Sequence, residues 1–251
     1  MKIFLAITGI VIVGFLVLVF LFVQWANRPE NVERFKQMKE EKEAKRIEDE
    51  KNRIALNKEV EEKRANLKLV IDENFANNRF ESLDYKFDYS FFKFGENQFK
   101  YETSIYPKQN PQQFFIFSKE DFGDFAAEMN FKIWGRDATV GIFWNTQPNG
   151  DLNPRDYQVA YSTPNGLYVE AGKESDDFDL GSFFEAQTTQ KLRVERLSKN
   201  LRVSVNDKVL FDKPVEKADS GKVGIFIGHR GGLEDNNQSV SLYIKDFKVW
   251  K

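Results

Sequence analysis

From Ile3 to Val23 the chain runs through 21 residues without a single charge, IFLAITGIVIVGFLVLVFLFV. At ~1.5 Å per residue a helix of that length covers roughly 30 Å, the thickness of a bilayer's hydrocarbon core. A helix satisfies its own backbone polar groups, which is what lipid requires. Gln24 and Trp25 follow, and an indole suits the headgroup layer. The run exceeds the about 7–15 apolar residues of a signal-peptide core, and Gln24 is too large for a small-x-small cleavage site ending at Ala26. Residues 1–26 are therefore expected to form an uncleaved, single-pass transmembrane anchor.

Sidedness is read from the flanks. Lys2 precedes the run, whereas Arg28, Arg34, Lys36, Lys39 and Lys42 follow it. Counted literally, the positive-inside rule keeps the C-terminal bulk in the cytoplasm. A very short tail with one lysine is also common in anchors that export their C-terminus. The fold argued below usually works outside the cytoplasm, so the C-terminal domain is expected to be extracytoplasmic.

A second segment, residues 27–70, is dominated by Glu, Lys and Arg and reads as a helical stalk. Pro29 fits a first helical turn, and neither Pro nor Gly recurs before Gly95. Glu30–Arg34, Glu41–Lys45, Asp49–Arg53 and Glu59–Lys63 place an acid four residues before a base, the better orientation for helix support. Val32, Phe35 and Met38 make a short apolar stripe that Ala44, Ile47 and Ile54 continue poorly. Two readings follow: a solvated spacer helix, or a helix that packs against a partner or a second copy in a helix-mediated oligomer.

Residues 71–251 change character. In Phe125 to Trp134, Ala127, Met129, Phe131 and Ile133 alternate with Glu128, Asn130 and Lys132, a period of two. Similar runs occupy Ala138–Trp144, Tyr157–Ser162, Gly166–Ala171, Lys191–Leu197, Gly221–Gly228 and Ser239–Trp250, with earlier ones at Phe91–Phe94, Phe99–Ile105 and Phe114–Phe117. Asn206-Asp207 between two such runs reads as a two-residue hairpin turn. Asn74–Phe80 reads as a junction with a short helix. The 25 phenylalanines suit sheet cores. The expected fold is mostly β, an antiparallel jelly-roll β-sandwich preceded by the transmembrane helix and the long charged helix.

Composition excludes some chemistry. The formal net charge is −2 with both signs well mixed, which argues against nucleic acid as a partner. There is no cysteine, hence no disulfide framework and no thiolate chemistry. The one histidine, His229, stands in His-Arg-Gly-Gly, a strand-end turn, without a partnered nucleophile.

The succession DFAAEMNFKIW, VGIFW, YQVAYS, NGLYVEAG, KLRVERLSKNLRVSVNDKVLFD, GKVGIFIGHRG and SLYIKDFKVW, about Phe114 to Trp250, resembles the concanavalin A-like lectin/glucanase jelly roll. More closely it resembles the domain of the 3-keto-disaccharide hydrolase-like group (domain of unknown function 1080). The resemblance implies a sandwich that handles sugars, although fold alone does not assign activity. Sugar-active relatives often carry Arg or another polar group after the Gly-Ile-aromatic strand, where this chain has Trp144-Asn145. Retaining glucanases of this fold carry Glu-x-Asp-x-x-Glu on one strand, which brings two carboxylates close enough for nucleophile and acid. The nearest match here is Glu174-Ser-Asp176-Asp177-Phe-Asp179; its last member is Asp, and the run of acids after Gly172 reads as a solvated loop.

Candidate binding residues are therefore weighed without a catalytic assignment. Trp134, Trp144, Tyr157, Tyr161 and Tyr168 can offer an aromatic platform, or can pack in the core. Trp144 beside a polar loop, with Asn145, Arg155 and Tyr157, is the expected ligand-binding set, pairing an apolar ring face with a few polar groups. Asp151, Asn153 and Asp156, then Asp176, Asp177 and Asp179, then Asp235, Asn236 and Asn237 carry oxygens of the kind calcium takes, but none has the ligand spacing of a known cage and all suit turns. No metal or other cofactor is expected beyond that calcium alternative. Asn237-Gln-Ser239 is a glycosylation sequon.

The function expected from the sequence is a membrane-anchored, non-catalytic binding module that recognises a glycan or a partner membrane protein within a membrane-associated assembly. The alternative is a glycoside or 3-keto-sugar hydrolase of the concanavalin A-like fold, which needs a pair of acids lining a sugar-sized cleft.

Overall fold

The computed structural model describes residues 19–20, 22, 24–26, 28–75, 83–85, 92–95, 98–103, 112–134, 138–146, 158–163, 166–171, 174–179, 188–215, 220–229 and 240–251. The chain divides into two compact units, Met1–Asn57 and Lys58–Lys251.

In the first unit, most of the apolar run Ile3–Val23 lies outside the described residues. Among the described residues, no helix is long and apolar enough to cross a membrane. Helix α1 runs Pro29–Asn66, with proline at its first position as the missing N–H allows. The Asn31 amide donates to the Trp25 carbonyl at 2.5 Å, and the Trp25 ring meets Phe35 edge-on at 6.0 Å. Of the expected i,i+4 pairs, Glu59–Lys63 forms at 3.3 Å, whereas two arginines farther up the helix choose the i,i+3 partner. Arg53 pairs with Glu50 at 2.9 Å and Arg46 with Glu43 at 3.0 Å, both i,i+3. A bidentate-capable guanidinium reaches back across either spacing, so the spacing alone does not select the partner. Val32, Phe35, Met38, Ile47 and Ile54 are exposed.

The second unit begins with the last residues of α1 and continues, among the described residues, as fifteen strands. They are β1 (Leu69–Glu73), β2 (Leu83–Tyr85), β3 (Phe92–Gly95), β4 (Gln98–Thr103), β5 (Gln112–Ser118), β6 (Phe125–Trp134), β7 (Ala138–Thr146) and β8 (Gln158–Thr163). There follow β9 (Gly166–Ala171), β10 (Glu174–Asp179), β11 (Gln190–Leu197), β12 (Asn200–Val205), β13 (Lys208–Pro214), β14 (Lys222–His229) and β15 (Val240–Trp250). One sheet has the order β13-β12-β11-β6-β15-β4-β3, with β1 also on β15; the other has β10-β9-β8-β7-β14-β5-β2. Sequence neighbours such as β5, β6 and β7 alternate between sheets, which is a sandwich connectivity, and every pairing is antiparallel. The expected mostly-β sandwich is the fold that forms.

Alternation explains the core. On β6, Phe125, Ala127, Met129, Phe131 and Ile133 point into the interlayer space; on β7, Val140, Ile142 and Trp144 do; on β15, Leu242, Ile244, Phe247 and Val249. Fully burying a side chain of this size stabilises by about 1.5–3 kcal/mol, which is why period-two patterning fixes strand register here. The Asn206-Asp207 turn has φ of 51° and 65°, the two left-handed residues of a tight hairpin between β12 and β13.

One element differs from expectation. The acids Glu174–Asp179 form strand β10 rather than a loop. They tolerate a strand because β10 has one described neighbour, β9, and edge strands accept charged residues.

Candidate functional site

The seven-stranded sheet is apolar on both faces. Its inner face supplies Phe114, Ile116, Val140, Ile142, Trp144, Ala160, Val169, Val223, Ile225 and Ile227 to the main core. Its other face carries a separate cluster: Phe115 and Phe117 from β5, Phe143 from β7, Val159 from β8 and Phe226 from β14, all buried, with Tyr161 against them. The rings form a chain of contacts. Phe143 meets Phe115 edge-on at 5.1 Å, Phe115 meets Phe226 at 5.4 Å, Phe226 meets Tyr161 at 6.0 Å, and Tyr161 stacks on Tyr168 at 5.2 Å with 17° between planes.

Glycine makes that chain continuous. Gly141 lies in register between Tyr161 and Phe226, and its missing side chain lets those rings meet above it. A Cβ there would stand 2.3 Å from the Ala160 carbonyl oxygen. Gly224, in register between Phe143 and Phe117, is equally closed: a Cβ would stand 2.0 Å from the Ile116 carbonyl oxygen.

Toward β10 the face turns polar. Glu170 is exposed and shares a register pair with Val159 on one side and Ser175 on the other. Tyr168, half-buried, pairs with Asp177, and Gly166 pairs with Asp179. Residues directly opposite in an antiparallel pair share a face, so Glu170, Asp177 and Asp179 occupy positions on the Tyr161–Tyr168 face. Glu170 and Asp177 are diagonal neighbours, at roughly 7–8 Å between backbone positions. Asp177 and Asp179 are two residues apart along the strand, at roughly 7 Å. Carboxyl separations of about 5–9.5 Å are those used by glycosidases.

Of the expected ligand set, the structure describes the side chain of Trp144. Trp144 is fully buried between the sheets, 6.3 Å from the Phe125 ring, and its Nε1 donates to the Gln158 Oε1 at 2.6 Å. A ring with no exposed face offers nothing to a sugar; alternation along β7 had already assigned Trp144 the parity of Val140 and Ile142. Asn145 is the last residue but one of β7. Arg155 and Tyr157 lie outside the described residues, as do Asp151, Asn153, Asp156, Asp235, Asn236, Asn237 and the sequon. Trp134 is the last residue of β6. His229 ends β14, opposite Ala138 and Gln112. Among the described residues there is no group of three or more His, Cys, Asp or Glu arranged to hold a metal.

Tyr161 and Tyr168 were legible as platform candidates. Glu170 was not, because a single acid in GLYVEA looks like an ordinary outward residue. The buried outer cluster did leave a signal: FFIF, GIFW and GIFI lack polar alternation, the pattern of strands covered on both faces.

No protein-family model and no curated protein matches the chain. Solved structures do. It is similar to the β-glucanase of Bacillus licheniformis, with TM-score 0.56 and 13% identity over 72% of this chain and 97% of that one. The catalytic domain of an endo-1,3-β-glucanase (laminarinase) of Thermotoga petrophila RKU-1 gives TM-score 0.58 and 8% identity over 74% and 98%. The laminarinase of Rhodothermus marinus gives 0.57 and 12% over 74% and 97%. The expectation of a non-catalytic module is corrected by these likenesses: the similar structures named above are glucanases, so a concanavalin A-like fold does not by itself point to binding without catalysis. What they establish for this chain is its architecture, the concanavalin A-like jelly-roll sandwich.

Proposed function

We propose that this protein is a glycoside hydrolase whose site lies where β8, β9 and β10 meet on the outer face of the seven-stranded sheet. The observation that carries the reading is the diagonal placement of Glu170 and Asp177 around the stacked Tyr161–Tyr168 pair. The tyrosines present an apolar surface for a sugar ring. One carboxylic acid protonates the departing glycosidic oxygen while the other carboxylate takes a proton from water attacking the anomeric carbon. No described strand carries Glu-x-Asp-x-x-Glu, so the acids come from two neighbouring strands instead of one. The meander resemblance supports a 3-keto-disaccharide as substrate beside a β-glucan.

The uncharged run Ile3–Val23 supports attachment to a membrane. The exposed stripe Val32, Phe35 and Met38 supports pairing of α1 with a second copy.

The test is turnover by the detergent-solubilised full chain on laminarin, mixed-linkage β-glucan and a 3-keto-disaccharide, read as new reducing ends. Hydrolysis of one of them, lowered at least a hundredfold in Glu170→Gln and in Asp177→Asn, is the expected result. No turnover of any substrate overturns the hydrolase reading; turnover that both variants retain overturns the site.

A further inference from the structure

Two register lines cross the outer face of the seven-stranded sheet, and both pass from closed to open between β7 and β9. The first runs Phe115, Phe226, Gly141, Tyr161, Tyr168 and Asp177 over β5, β14, β7, β8, β9 and β10. The second runs Phe117, Gly224, Phe143, Val159, Glu170 and Ser175 over the same strands. On the β5 side, Phe115 and Phe226 are 5% exposed, Val159 3% and Phe143 0%. On the β10 side, Tyr161 and Tyr168 are half-buried and Glu170 is exposed. Along β9 the same gradient runs from buried Gly166 through Tyr168 to Glu170.

Antiparallel sheets commonly keep one face on the core and the other in water. Side chains on an open face keep their outer ends accessible. Exposures this low mean that the outer face is covered from β5 as far as Gly141 in one line and Val159 in the other. The Tyr161 ring stands at the margin, 6.0 Å from Phe226 toward the cover and 5.2 Å from Tyr168 toward β9. Among the described residues the Tyr168 ring has no second ring beside it. The aromatic row is thus closed at one end and open at the other, and the acid positions lie at the open end.

We propose that the site admits only the end of a sugar chain: a terminal glycosyl unit enters from the β10 side and stops against the covered ground at Gly141 and Phe226. This deepens the hydrolase reading and rests on the site given there. From β8 to β10 is two strand spacings, about 10 Å, which holds about two sugar rings. An internal glycosidic bond needs sugar rings on both sides of the acids, and the side beyond Tyr161 is closed. Laying a chain across the sheet would return three phenylalanines and a valine to water, and a hydroxyl-rich chain replaces that apolar cover poorly. Each turnover therefore breaks a glycosidic bond near the chain end. Water gives its hydroxyl to the anomeric carbon, and the departing oxygen takes a proton.

The test is titration calorimetry of the full chain in mild detergent with laminarin oligosaccharides of increasing length, from the disaccharide up, beside the products released from laminarin. Affinity is expected to level off by about three sugar units, the length the open stretch holds. Tyr168→Ala, checked for folding by a thermal melt, should lower every affinity in the series by roughly threefold to tenfold. Laminarin should yield short sugars from the first time point while its viscosity falls slowly. Affinity that keeps rising with each added unit overturns the proposal, as does a rapid fall in viscosity with fragments of middle length; in either case hydrolysis itself stands. No binding at any length, or a series unchanged in Tyr168→Ala, overturns it too. Binding that levels off without any turnover supports the chain-end geometry and overturns the hydrolase reading alone.

Discussion

Tyr161 and Tyr168 face each other across the β8–β9 pairing with ring centres 5.2 Å apart and planes 17° from parallel. Both rings are half-buried, so each packs on its neighbour and keeps some accessible surface. An aromatic pair of this kind contributes about 0.5–1.5 kcal/mol beyond area burial. Tyr168→Ala is expected to weaken binding of a laminarin oligosaccharide by roughly threefold to tenfold, read as a rise in KM, whereas Tyr168→Phe retains most of it. An unchanged KM in the alanine variant removes the tyrosines from the site.

Gly141 and Gly224 are close-approach positions, with backbone carbonyl oxygens where a Cβ would go. Backbone cannot yield as a side chain tip does. Each alanine substitution is expected to destabilise the second unit by about 1–3 kcal/mol, the usual cost of overpacking. For a unit of this size that lowers Tm by roughly 2–4 °C per kcal/mol in a thermal melt. A Gly141→Ala protein that melts with the parent contradicts the packing of Tyr161 against Phe226.

Trp144→Phe separates the two readings of that residue. In the core, the substitution removes the donor to Gln158 and leaves its amide oxygen short of a partner, a cost of about 1–3 kcal/mol. The measurement is the urea midpoint together with substrate affinity. Stability should fall and affinity should not. A fall in affinity at constant stability restores Trp144 as a ligand contact.

Trp144 also shows where sequence reading reached and where it stopped. The helix Pro29–Asn66, the β6 alternation and the Asn206-Asp207 hairpin were legible because each depends on local chemistry: charge composition, period two, and two residues able to hold positive φ. Strand parity was equally legible on β7, yet the neighbouring loop suggested exposure for Trp144, and tertiary coverage overrode it. Strand β10 was hidden because edge strands accept the acids that normally signal a loop. The Glu170–Asp177 relation was invisible for a different reason. It depends on the register between β9 and β10, and no single segment carries that information. β1, five residues separated from α1 by Leu67 and Lys68, gains strand structure from β15 at the far end of the chain.

Glu195 is an almost buried acid at the junction of α1 and the sheet. Its Oε2 accepts from Arg64 at 2.9 Å and its Oε1 from Arg193 at 2.9 Å; Arg193 also lies 5.0 Å over the Trp250 ring. Glu195→Ala removes two charge-assisted bonds while Arg64 keeps Glu61 and Arg193 keeps Glu128, so the expected loss is about 1.5–3 kcal/mol. Arg64→Ala costs less, because Arg193 still neutralises the acid. The two losses are expected to be non-additive in a double-mutant cycle read by denaturant midpoints. Simple additivity would place Arg64 and Glu195 in separate environments.

Two further contacts hold the last turns of α1 and give their docking a pH window. The Ser198 hydroxyl donates to Glu59 at 2.5 Å, and this bond, followed by Lys63, lowers the Glu59 pKa below its ordinary value. The Lys63 ammonium donates to Asp124 at 2.6 Å, and chiefly for that reason its pKa is raised. A depressed carboxylate contributes stability that is present above its unfolded pKa, about 4.3, and is lost as pH falls through the lower folded value. A raised lysine contributes stability that is present below about 10.4 and is lost as pH rises through its higher folded value. Docking of residues 58–66 should therefore be strongest between about pH 5 and 10 and loosen at both ends. Limited proteolysis within Lys58–Asn66 against pH reads this directly. Glu59→Gln should flatten the acid limb and leave most of the alkaline limb, which Asp124 carries, whereas Lys63→Met should flatten the alkaline limb and shrink the acid limb to the part that Ser198 carries. A Glu59→Gln protein with an unchanged acid limb would assign that limb to a different carboxylate.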